Sequence, residues 1–587
     1  MIRLGTRGFA AAAAVAALAP PSFAPPVKLP GAAGGDEPRI AIGSDDRRYA
    51  IANDASDGSA VVFSSTDRGA TWKRTPSTFG GQASATIDTD IVTTPSGRIV
   101  AVELDGAGLN FAIGYSDDGG ATWSQSRGAT LADQDRPWLA VGPGNRVYLL
   151  FHNLASGGVQ HEMFVSTSTD GGATFAPPVP IAPPGSQAYL DLQCADSGAP
   201  SALLVNQRTG RLYAVFGTRT SQLGGCGASV FGTPEANVVG ETRVWVATSA
   251  DGGAGSWSDV LAADAGDKVV SASFEAGALD SAGNVYVAWA QTARPYPDFS
   301  QASIRYAWAR PDAQHWSAPV TLVPSGPVGH YDPSVVAGDP GELALAYYTG
   351  YPRTGGDPVW YVQSARVADA LSTAPQVAES RVAPIPAYAE SANAMGGSCA
   401  SGPAAGLENG SVCDRATDDW GLALDSRCEL AVVFPTVAND APGAGAGTWS
   451  ATQNGGSRPC ATRPATAPPE AGAGPPALRN RIQIEHLGGR AAALDRRWRG
   501  HRGALLRART TGGTATAARG YLYRVTAGGR LRLVARSKRT YTLTTRARTL
   551  QLKFAHRARL TRGAYVTSVS ATVDGQRVTR SRRIALR

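Results

Sequence analysis

The side chains that most often do chemistry match no familiar catalytic motif in this sequence. It contains no Gly-x-Ser-x-Gly, no phosphate-binding or dinucleotide loop and no His-Glu-x-x-His. His152 and His161 flank one predicted hairpin loop, where two histidines nine residues apart are more often surface residues than metal ligands. We therefore expect no metal site and no cofactor. Any chemistry has to come from arginines, carboxylates and tyrosines.

The cysteines favour structural disulfides. There are six, an even number, and none has the Cys-x-x-Cys or His-spaced pattern of a metal site. A zinc site is the alternative that this pattern disfavours. The favoured pairs each close an insertion between or within repeats, and they are Cys194 with Cys226, Cys399 with Cys413, and Cys428 with Cys460.

A repeated octet reveals the elements that must position the reactive side chains. The segments Ser65–Trp72, Ser116–Trp123 and Ser168–Phe175 all read Ser-x-Asp-x-Gly-Ala-Thr followed by an aromatic residue. Ser249–Trp257 is a looser copy with one extra residue, and Asp312 with Trp316 is a remnant. Ser and Asp side chains bond nearby backbone N–H groups and Gly supplies a positive φ, so each copy predicts a tight hairpin turn whose aromatic is buried. Spacings of about 50 residues indicate an array of four-stranded units.

Short apolar strands open the repeats as well. Each opening has an apolar strand, a turn containing Gly, Asp or Asn, and a second apolar strand, which is typical of the inner strands of a β-propeller. The seven openings begin near Pro38, Ile91, Arg136, Ala202, Gly277, Pro333 and Trp420. We predict an all-β fold with a six- or seven-bladed propeller, since the last unit can close onto the first.

The octet resembles the Asp box, or bacterial neuraminidase repeat, of the sialidase superfamily. The resemblance covers residues from about 38 to 456. In that family the box lies on the outer turn of each blade, away from the substrate face. It therefore implies an Asp-box propeller and says little about chemistry.

The resemblance also implies a set of catalytic residues, of which the arginines and the acid come first. Sialidases hold the substrate carboxylate with three arginines and use an Asp as acid/base. Arg39 in Arg-Ile-Ala resembles the family's first Arg, although the Pro of its Arg-Ile-Pro context is missing. Asp54 and Asp57 are the available acids, with Asp57 preferred, and Arg305 is placed as the last Arg.

The family's nucleophile is a Tyr that a Glu deprotonates. Tyr331 opens a late repeat in a similar way, and Glu275 followed by Arg294 keeps the family's Glu-then-Arg order. Glu275 lies in the same unit as Arg305, however, where the family separates them by a blade. Arg219 is an alternative second Arg, but no Glu precedes it.

A structural explanation of these residues remains open. Tyr331-Asp332-Pro333 aligns with Asp135-Arg136-Pro137, so both segments can simply be the way this repeat begins its inner strand. Arg39 and Arg136 can likewise be loop residues without a catalytic duty. The sequence favours a propeller that lacks the complete sialidase site.

The two ends of the chain differ from the repeats. Residues 1–24 carry Arg3 and Arg7 ahead of an Ala-rich apolar run, which predicts a secretory signal that is too short to span a bilayer. Cleavage after Ala24 is plausible, although Pro25 follows it. We predict an N-terminal linker at 25–37, the propeller at 38–456, a Pro/Gly-rich linker at 457–476 and a small basic β-sandwich at 477–587.

Charge separates the last domain from the rest. Residues 477–587 hold 27 Lys and Arg against three acidic residues, a net charge of +24, while the remainder of the chain has −16. We expect this domain to bind an anionic polymer of the cell envelope; the alternative is a merely solvated surface. An exported chain without a nucleic-acid module is not expected to bind nucleic acid.

Three functions remain as hypotheses. The first is a secreted or envelope-associated protein that binds or processes extracellular glycans on the face where the strand openings converge. The second is a true exo-α-sialidase, a glycoside hydrolase. The third is a non-enzymatic scaffold that uses the propeller rim for protein contacts and the basic domain for attachment to the envelope.

Overall fold

The fold is nearly all β. The computed structural model describes residues 18–34, 37–56, 58–75, 88–105, 110–128, 134–153, 162–193, 200–218, 241–270, 275–295, 300–389, 420–436, 446–460, 482–487, 503–510, 515–525, 531–544, 548–554, 563–573 and 576–586. The helices of these ranges are Gln187–Leu192 and the 3-10 turn Pro143–Asn145. Neither is long and apolar enough to cross a membrane.

Seven antiparallel sheets of four or five strands lie between residues 22 and 455 of the described chain. Sheet 1 consists of Arg39–Ile42, Arg48–Asn53, Ala60–Ser65 and Lys73–Arg74. Sheet 2 consists of Thr89–Thr93, Ile99–Asp105, Asn110–Ser116 and Ser124–Gln125. Sheet 3 consists of Gln134–Gly142, Arg146–Asn153, Met163–Ser168 and Val179–Pro180. Sheet 4 consists of Pro200–Val205, Leu212–Thr218, Arg243–Ser249 and Ser258–Asp264.

The remaining three sheets each carry at least one added strand. Sheet 5 consists of Ala276–Leu279, Val285–Pro295, Ser303–Ala309 and Val320–Val323, with Lys268–Val270 added to the second strand. Sheet 6 consists of His330–Ala337, Leu343–Arg353, Gly356–Ala368 and Gln376–Arg381, with Tyr388–Ala389 added to the third. Sheet 7 consists of Gly421–Leu424, Leu430–Thr436 and Gly447–Gly455, with Ser22–Phe23 and Val27–Lys28 added to the last.

The seven sheets form a ring around their first strands. Each first strand lies against the first strand of the next sheet, and Gly421–Leu424 of sheet 7 lies against Arg39–Ile42 of sheet 1. Every predicted opening falls at one of these first strands. The second strands are the most deeply buried, as in Leu212–Thr218 and Leu430–Thr436, where every residue is buried. Packing on both faces explains why these strands are continuously apolar.

The octets form the turns that the sequence predicts. In the first copy Ser65 Oγ accepts from Gly69 N at 2.8 Å, and Asp67 Oδ1 accepts from Thr71 N at 2.9 Å. The second and third copies repeat both bonds. The aromatics Trp72, Phe175 and Trp257 are buried, whereas Trp123 is half-buried.

The N-terminal segment belongs to the ring. Residues 25–37, expected to be a linker, include Val27–Lys28, which pairs with Gly447–Gly455 of sheet 7. Leu29 is fully buried in the core of sheet 1, and Ala33 N donates to Asn53 O. Segments far apart in sequence thus meet where the ring closes.

A disulfide and a network of ion pairs lie at this closure of the ring between sheets 7 and 1. The predicted Cys428–Cys460 disulfide is confirmed, and it extends the ring past the expected boundary at 456. The other four cysteines lie outside the described residues. Arg68 and the buried Arg48 bind Asp425, and Arg68 also binds Glu429. Arg68 has φ 62° at the position where the other octets have Gly, a conformation costing about 1–2 kcal/mol, and its guanidinium reaches sheet 7 from there.

The basic C-terminal part forms one eight-stranded antiparallel sheet. Along the sheet the strands are Ile482–Leu487, Gly503–Thr510, Arg548–Phe554, Leu531–Ser537, Ala515–Val525, Gly563–Val573 and Gln576–Leu586, with Tyr541–Leu543 paired to Ala515–Val525. The first strand also contacts the last, so the layers expected of a sandwich come from one sheet that curls on itself. Gln576–Leu586 lies against Ser258–Asp264 of sheet 4, which places the domain beside the ring.

Candidate functional site

Three carboxyl side chains meet where sheets 1, 2 and 3 begin. Glu37 lies two residues before the first strand of sheet 1, Asp88 directly precedes that of sheet 2, and Asp135 is the second residue of that of sheet 3. Because these first strands lie side by side, their openings share one end of the ring. Asp88 is hydrogen-bonded to both Glu37 and Asp135. We call these three residues, with Arg136 and His152, the acid cluster.

A β-bulge in the first strand of sheet 3 orients the Asp135 carboxyl. Asp135 pairs with His152 and Trp138 with Leu150, so the register shifts between them. Arg136 has φ 54° within this bulge, directly before Pro137. His152 Nε2 lies 3.5 Å from Asp135 Oδ2, and Arg136 N donates to Asp135 Oδ1 at 2.9 Å. The extra residue turns the Asp135 carboxyl toward His152 on the next strand.

The two aspartates of the cluster differ in protonation state. Asp88 is 3% exposed, and burial together with the charge of Asp135 raises the pKa of Asp88 to about 8. Burial alone would raise the pKa of Asp135 too, but hydrogen bonding to His152 and the charges of His152 and Arg136 lower it below the usual range. At neutral pH the cluster therefore holds a neutral carboxylic acid beside an ionised carboxylate.

The cluster opens to solvent through Asp135, whose side chain is 23% exposed. Nearby, the Arg39 guanidinium lies 4.3 Å from the ring centroid of Trp138, the residue that ends the bulge. Trp138 Nε1 donates to Pro200 O of sheet 4, which fixes the indole. The partly exposed Asp135 carboxylate can accept hydrogen bonds from hydroxyl groups, and the half-buried Arg39 packs on the Trp138 ring at the end of the same bulge.

A second carboxyl pair lies where sheets 4 and 5 begin. Glu275 is hydrogen-bonded to Glu241 and accepts from Ser201 Oγ at 2.6 Å. Both glutamates are at most 2% exposed, and burial raises the pKa of Glu275. A Cβ atom at Gly217 would lie 1.5 Å from the Glu241 carboxyl, so the absence of a side chain there makes room for the pair.

Each described residue implied by the sialidase resemblance contacts a different set of neighbours. Arg39 packs on Trp138, and Glu275 joins Glu241 and Ser201. Arg305 donates to Gln291 Oε1 at 3.1 Å and to Pro319 O at 3.2 Å, and burial lowers its pKa. Arg294 lies on Val285–Pro295, but its side chain is outside the described part, as are Asp57 and Arg219.

Tyr331 takes part in core packing, and Asp54 takes part in a turn. Tyr331 has no exposed surface, and its ring meets the Trp360 ring edge-on at 5.4 Å. Asp54, the other acid considered, accepts from Ser56 N at 2.8 Å and forms an ion pair with Arg74, which together shape a turn of sheet 1. These surroundings suit packing and turn formation.

One expectation about a chemistry-bearing residue changes in the structure. His152 is not a surface residue, because it is 5% exposed and faces Asp135. His161 lies outside the described residues. Asp88 and Asp135 were not predicted as site residues. The sequence signal that could have indicated them is the acidic residue that recurs at or just before the first strand of several sheets. Within the described ranges no group of three His, Cys, Asp or Glu side chains has a geometry able to hold a metal ion.

Comparison with known proteins identifies the repeat region. Residues 49–303 match the family model described as a BNR repeat-like domain, which confirms the Asp-box recognition for this part of the chain. No curated protein matches the sequence.

Several solved structures are similar at low identity. A protein of unknown function from Dyadobacter fermentans has 12% identity and a TM-score of 0.39, covering 74% of this chain and 98% of its own. An α-L-arabinanase of Penicillium chrysogenum complexed with arabinobiose has 11% identity and a TM-score of 0.35, with the same coverage. The NanB sialidase of Streptococcus pneumoniae has 11% identity and a TM-score of 0.35, covering 70% of this chain and 67% of its own.

Proposed function

We propose that this chain is an exported protein that binds or processes extracellular glycans at the acid cluster. The observation that carries the proposal is the placement of the buried Asp88 beside the partly exposed Asp135, where burial raises the pKa of Asp88 while His152 and Arg136 lower that of Asp135 despite its burial. Glycan hydroxyls are recognised by carboxylates and arginines, and glycoside hydrolysis needs one carboxyl as proton donor and another as acceptor. The BNR repeat-like domain is compatible with this role.

The cluster offers a route for one proton. Asp135 contacts solvent and Asp88 lies behind it, so a proton shared between them reaches a ligand through Asp135. In a binding role, the Asp135 carboxylate accepts from a sugar hydroxyl while Arg39 or Arg136 donates to a neighbouring oxygen. In a hydrolytic role, the pair would give a proton to the leaving oxygen and regain one from the attacking water.

The surroundings of Tyr331 argue against a complete sialidase site. A Tyr nucleophile has to reach the anomeric carbon of its substrate, and Tyr331 is wholly buried against Trp360. The exo-α-sialidase alternative therefore requires a rearrangement of sheet 6. It remains testable, because a Tyr331→Phe variant removes the hydroxyl and keeps the ring.

A second proposal concerns the basic sheet. Arg524 and Arg532 are directly opposite each other on neighbouring strands, and both are exposed. Like charges in this position repel each other, so an anionic polymer that lies across them would be bound favourably. Arg519, Arg536 and Lys538 are exposed on the same pair of strands or at their end. We propose that this surface attaches the protein to an anionic envelope polymer.

The test of the glycan proposal compares two aspartates. The wild-type protein and the Asp135→Asn and Asp117→Asn variants are measured for binding to an oligosaccharide array and for hydrolysis of fluorogenic glycosides, a sialoside included. Asp117 is 63% exposed and pairs with Arg98 on an octet turn, so it serves as the control. We expect Asp135→Asn to lose at least tenfold in binding or turnover and Asp117→Asn to lose nothing. Equal behaviour of the two variants on every ligand bound by the wild type would refute the site.

The test of the attachment proposal uses salt. Retention of the full chain on an anionic polysaccharide matrix is compared with that of an Arg524→Gln/Arg532→Gln double variant. We expect earlier elution of the double variant, and weaker retention of both proteins as the salt concentration rises. Identical elution of the two proteins would contradict the proposal and indicate that these arginines belong to a merely solvated surface.

A further inference from the structure

The first residues of the described chain form part of the ring. Ser22 pairs with Gly455 and Phe23 with Gln453, while Ala24 N donates to Thr452 O at 2.9 Å. These residues precede the position where the sequence places a plausible leader cleavage. Cleavage after Ala24 would remove every one of these contacts.

The pairing extends to Ala19. Ala19 N donates to Ser457 Oγ at 3.1 Å, and Ser457 N donates to Ala19 O at 3.1 Å. Both backbone groups of Ala19 are therefore satisfied by the same residue, beyond the end of the last strand of sheet 7. Such reciprocal pairing is a property of folded structure, whereas a leader is removed before it can contribute to the fold.

The neighbouring residues are shaped to receive this segment. Gly456 has φ 78°, and a Cβ atom there would lie 2.0 Å from the Pro20 carbonyl oxygen. Phe23 packs against the aromatic core of sheets 6 and 7, and Pro21 is buried. Because residue 456 has no side chain, Pro20 packs directly against the end of sheet 7.

We propose that the leader is cut upstream of Ala19, so that Ala19–Ala24 stay on the mature chain and complete sheet 7. Ala14-Val15-Ala16 has the small residues at alternate positions that leader peptidases recognise, and Ala17 follows it rather than a proline. The peptidase would hydrolyse the Ala16–Ala17 bond, with the oxygen of water ending on the Ala16 carboxylate and a proton on the Ala17 amine. The inference rests on export of the chain and not on its ligand.

The mature N-terminus tests this directly. The full gene product, with its own leader, is expressed in an exporting bacterium, and the exported protein is analysed by intact mass and N-terminal sequencing. We expect a chain that begins at Ala17, Leu18 or Ala19. A start at Pro20 or later, or an exported chain that keeps residues 1–16, overturns the proposal.

A stability comparison tests the structural reason. Leaderless proteins starting at Ala17 and at Pro25 are prepared with the Cys428–Cys460 disulfide formed, and their Tm values are measured. The control is the Ala17 protein with Ser22→Ala, which loses only the bond from Ser22 Oγ to Asn454 Oδ1. We expect the Pro25 protein to have a Tm lowered by more than that of the control. Equal Tm values for the Ala17 and Pro25 proteins would show that Ala19–Ala24 contribute nothing to sheet 7.

Discussion

The openings of sheets 3 and 6 have the same backbone and opposite chemistry. In both, the register shifts across a Pro-containing bulge, between Asp135 and Trp138 and between Tyr331 and Ser334. In both, the residue before the proline has a positive φ, 54° at Arg136 and 49° at Asp332. The aligned residues are Asp135, which joins an ionised cluster, and Tyr331, which is buried among aromatic rings.

The comparison shows that the bulge belongs to the repeat and does not by itself mark a site. Left-handed backbone at a residue other than Gly often accompanies function, but here it occurs at two openings with different surroundings. At sheet 3 the bulge carries charges near solvent. At sheet 6 it carries Tyr331 and Asp332, and the Asp332 carbonyl accepts from the buried Trp420 Nε1 at 3.0 Å. The side chains around a bulge, rather than its backbone, decide what it can do.

Removing a ring at the sheet 6 opening should have the largest effect. Trp360→Ala leaves a cavity beside Tyr331 and should lower the free energy of unfolding by roughly 3–5 kcal/mol. Because packing carries this contribution, urea unfolding should show a similar loss at pH 5 and pH 8. Tyr351→Ala is the control, since Tyr351 is 37% exposed and should cost far less. A loss that changes strongly with pH would mean that charges also hold this opening.

Removing the ionised carboxylate at the sheet 3 opening should cost less. Asp135→Asn deprives His152 and Arg136 of a charged partner and should lower stability by about 1–3 kcal/mol at pH 7. The pKa of Asp135 is lowered by folding, so its contribution is present above the unfolded value of about 4 and disappears as pH falls through the folded value. Urea unfolding at pH 7 and pH 3 should therefore show a smaller difference from wild type at pH 3. A constant difference would exclude the charge as its cause.

Asp88→Asn should change how the stability of the protein depends on pH, rather than remove a stabilising contact. The folded protein raises the Asp88 pKa to about 8, so between about pH 4 and pH 8 the folded state binds a proton that the unfolded state releases. This group makes wild-type stability fall as pH rises through that window. Asn resembles the neutral acid, so the variant should gain stability relative to the wild type as the pH rises from 5 to 8. Parallel profiles from thermal unfolding would contradict the assignment of the proton to Asp88.

The smallest effect is expected at Tyr331. Tyr331→Phe keeps the ring against Trp360 and should change stability by no more than about 1 kcal/mol. Binding and hydrolysis should be unchanged for any ligand that Asp135→Asn affects. A large loss of sialoside turnover in Tyr331→Phe, with Asp135→Asn fully active, would instead support the sialidase alternative and reverse the roles of the two openings.

Much of the fold could be predicted from the sequence because its signals are local. The turn of each octet is made by hydrogen bonds within eight residues, such as that from Thr71 N to Asp67 Oδ1. The alternation of short apolar strands and turns likewise located all seven openings, and the Cys428–Cys460 pair followed from the insertion it closes. The N-terminal strands could not be predicted in this way, since Val27–Lys28 is too short and too polar to resemble a strand before it meets sheet 7.

The sequence by itself determined the repeat, its turns and the positions of the first strands, because each depends on residues that are neighbours in the chain. Only the tertiary structure decided which of the many carboxyl groups come together. Glu37, Asp88 and Asp135 belong to three different sheets, and they meet because the ring sets their first strands side by side. The pKa values follow from that meeting, since burial and neighbouring charge are properties of the assembled ring and not of any segment.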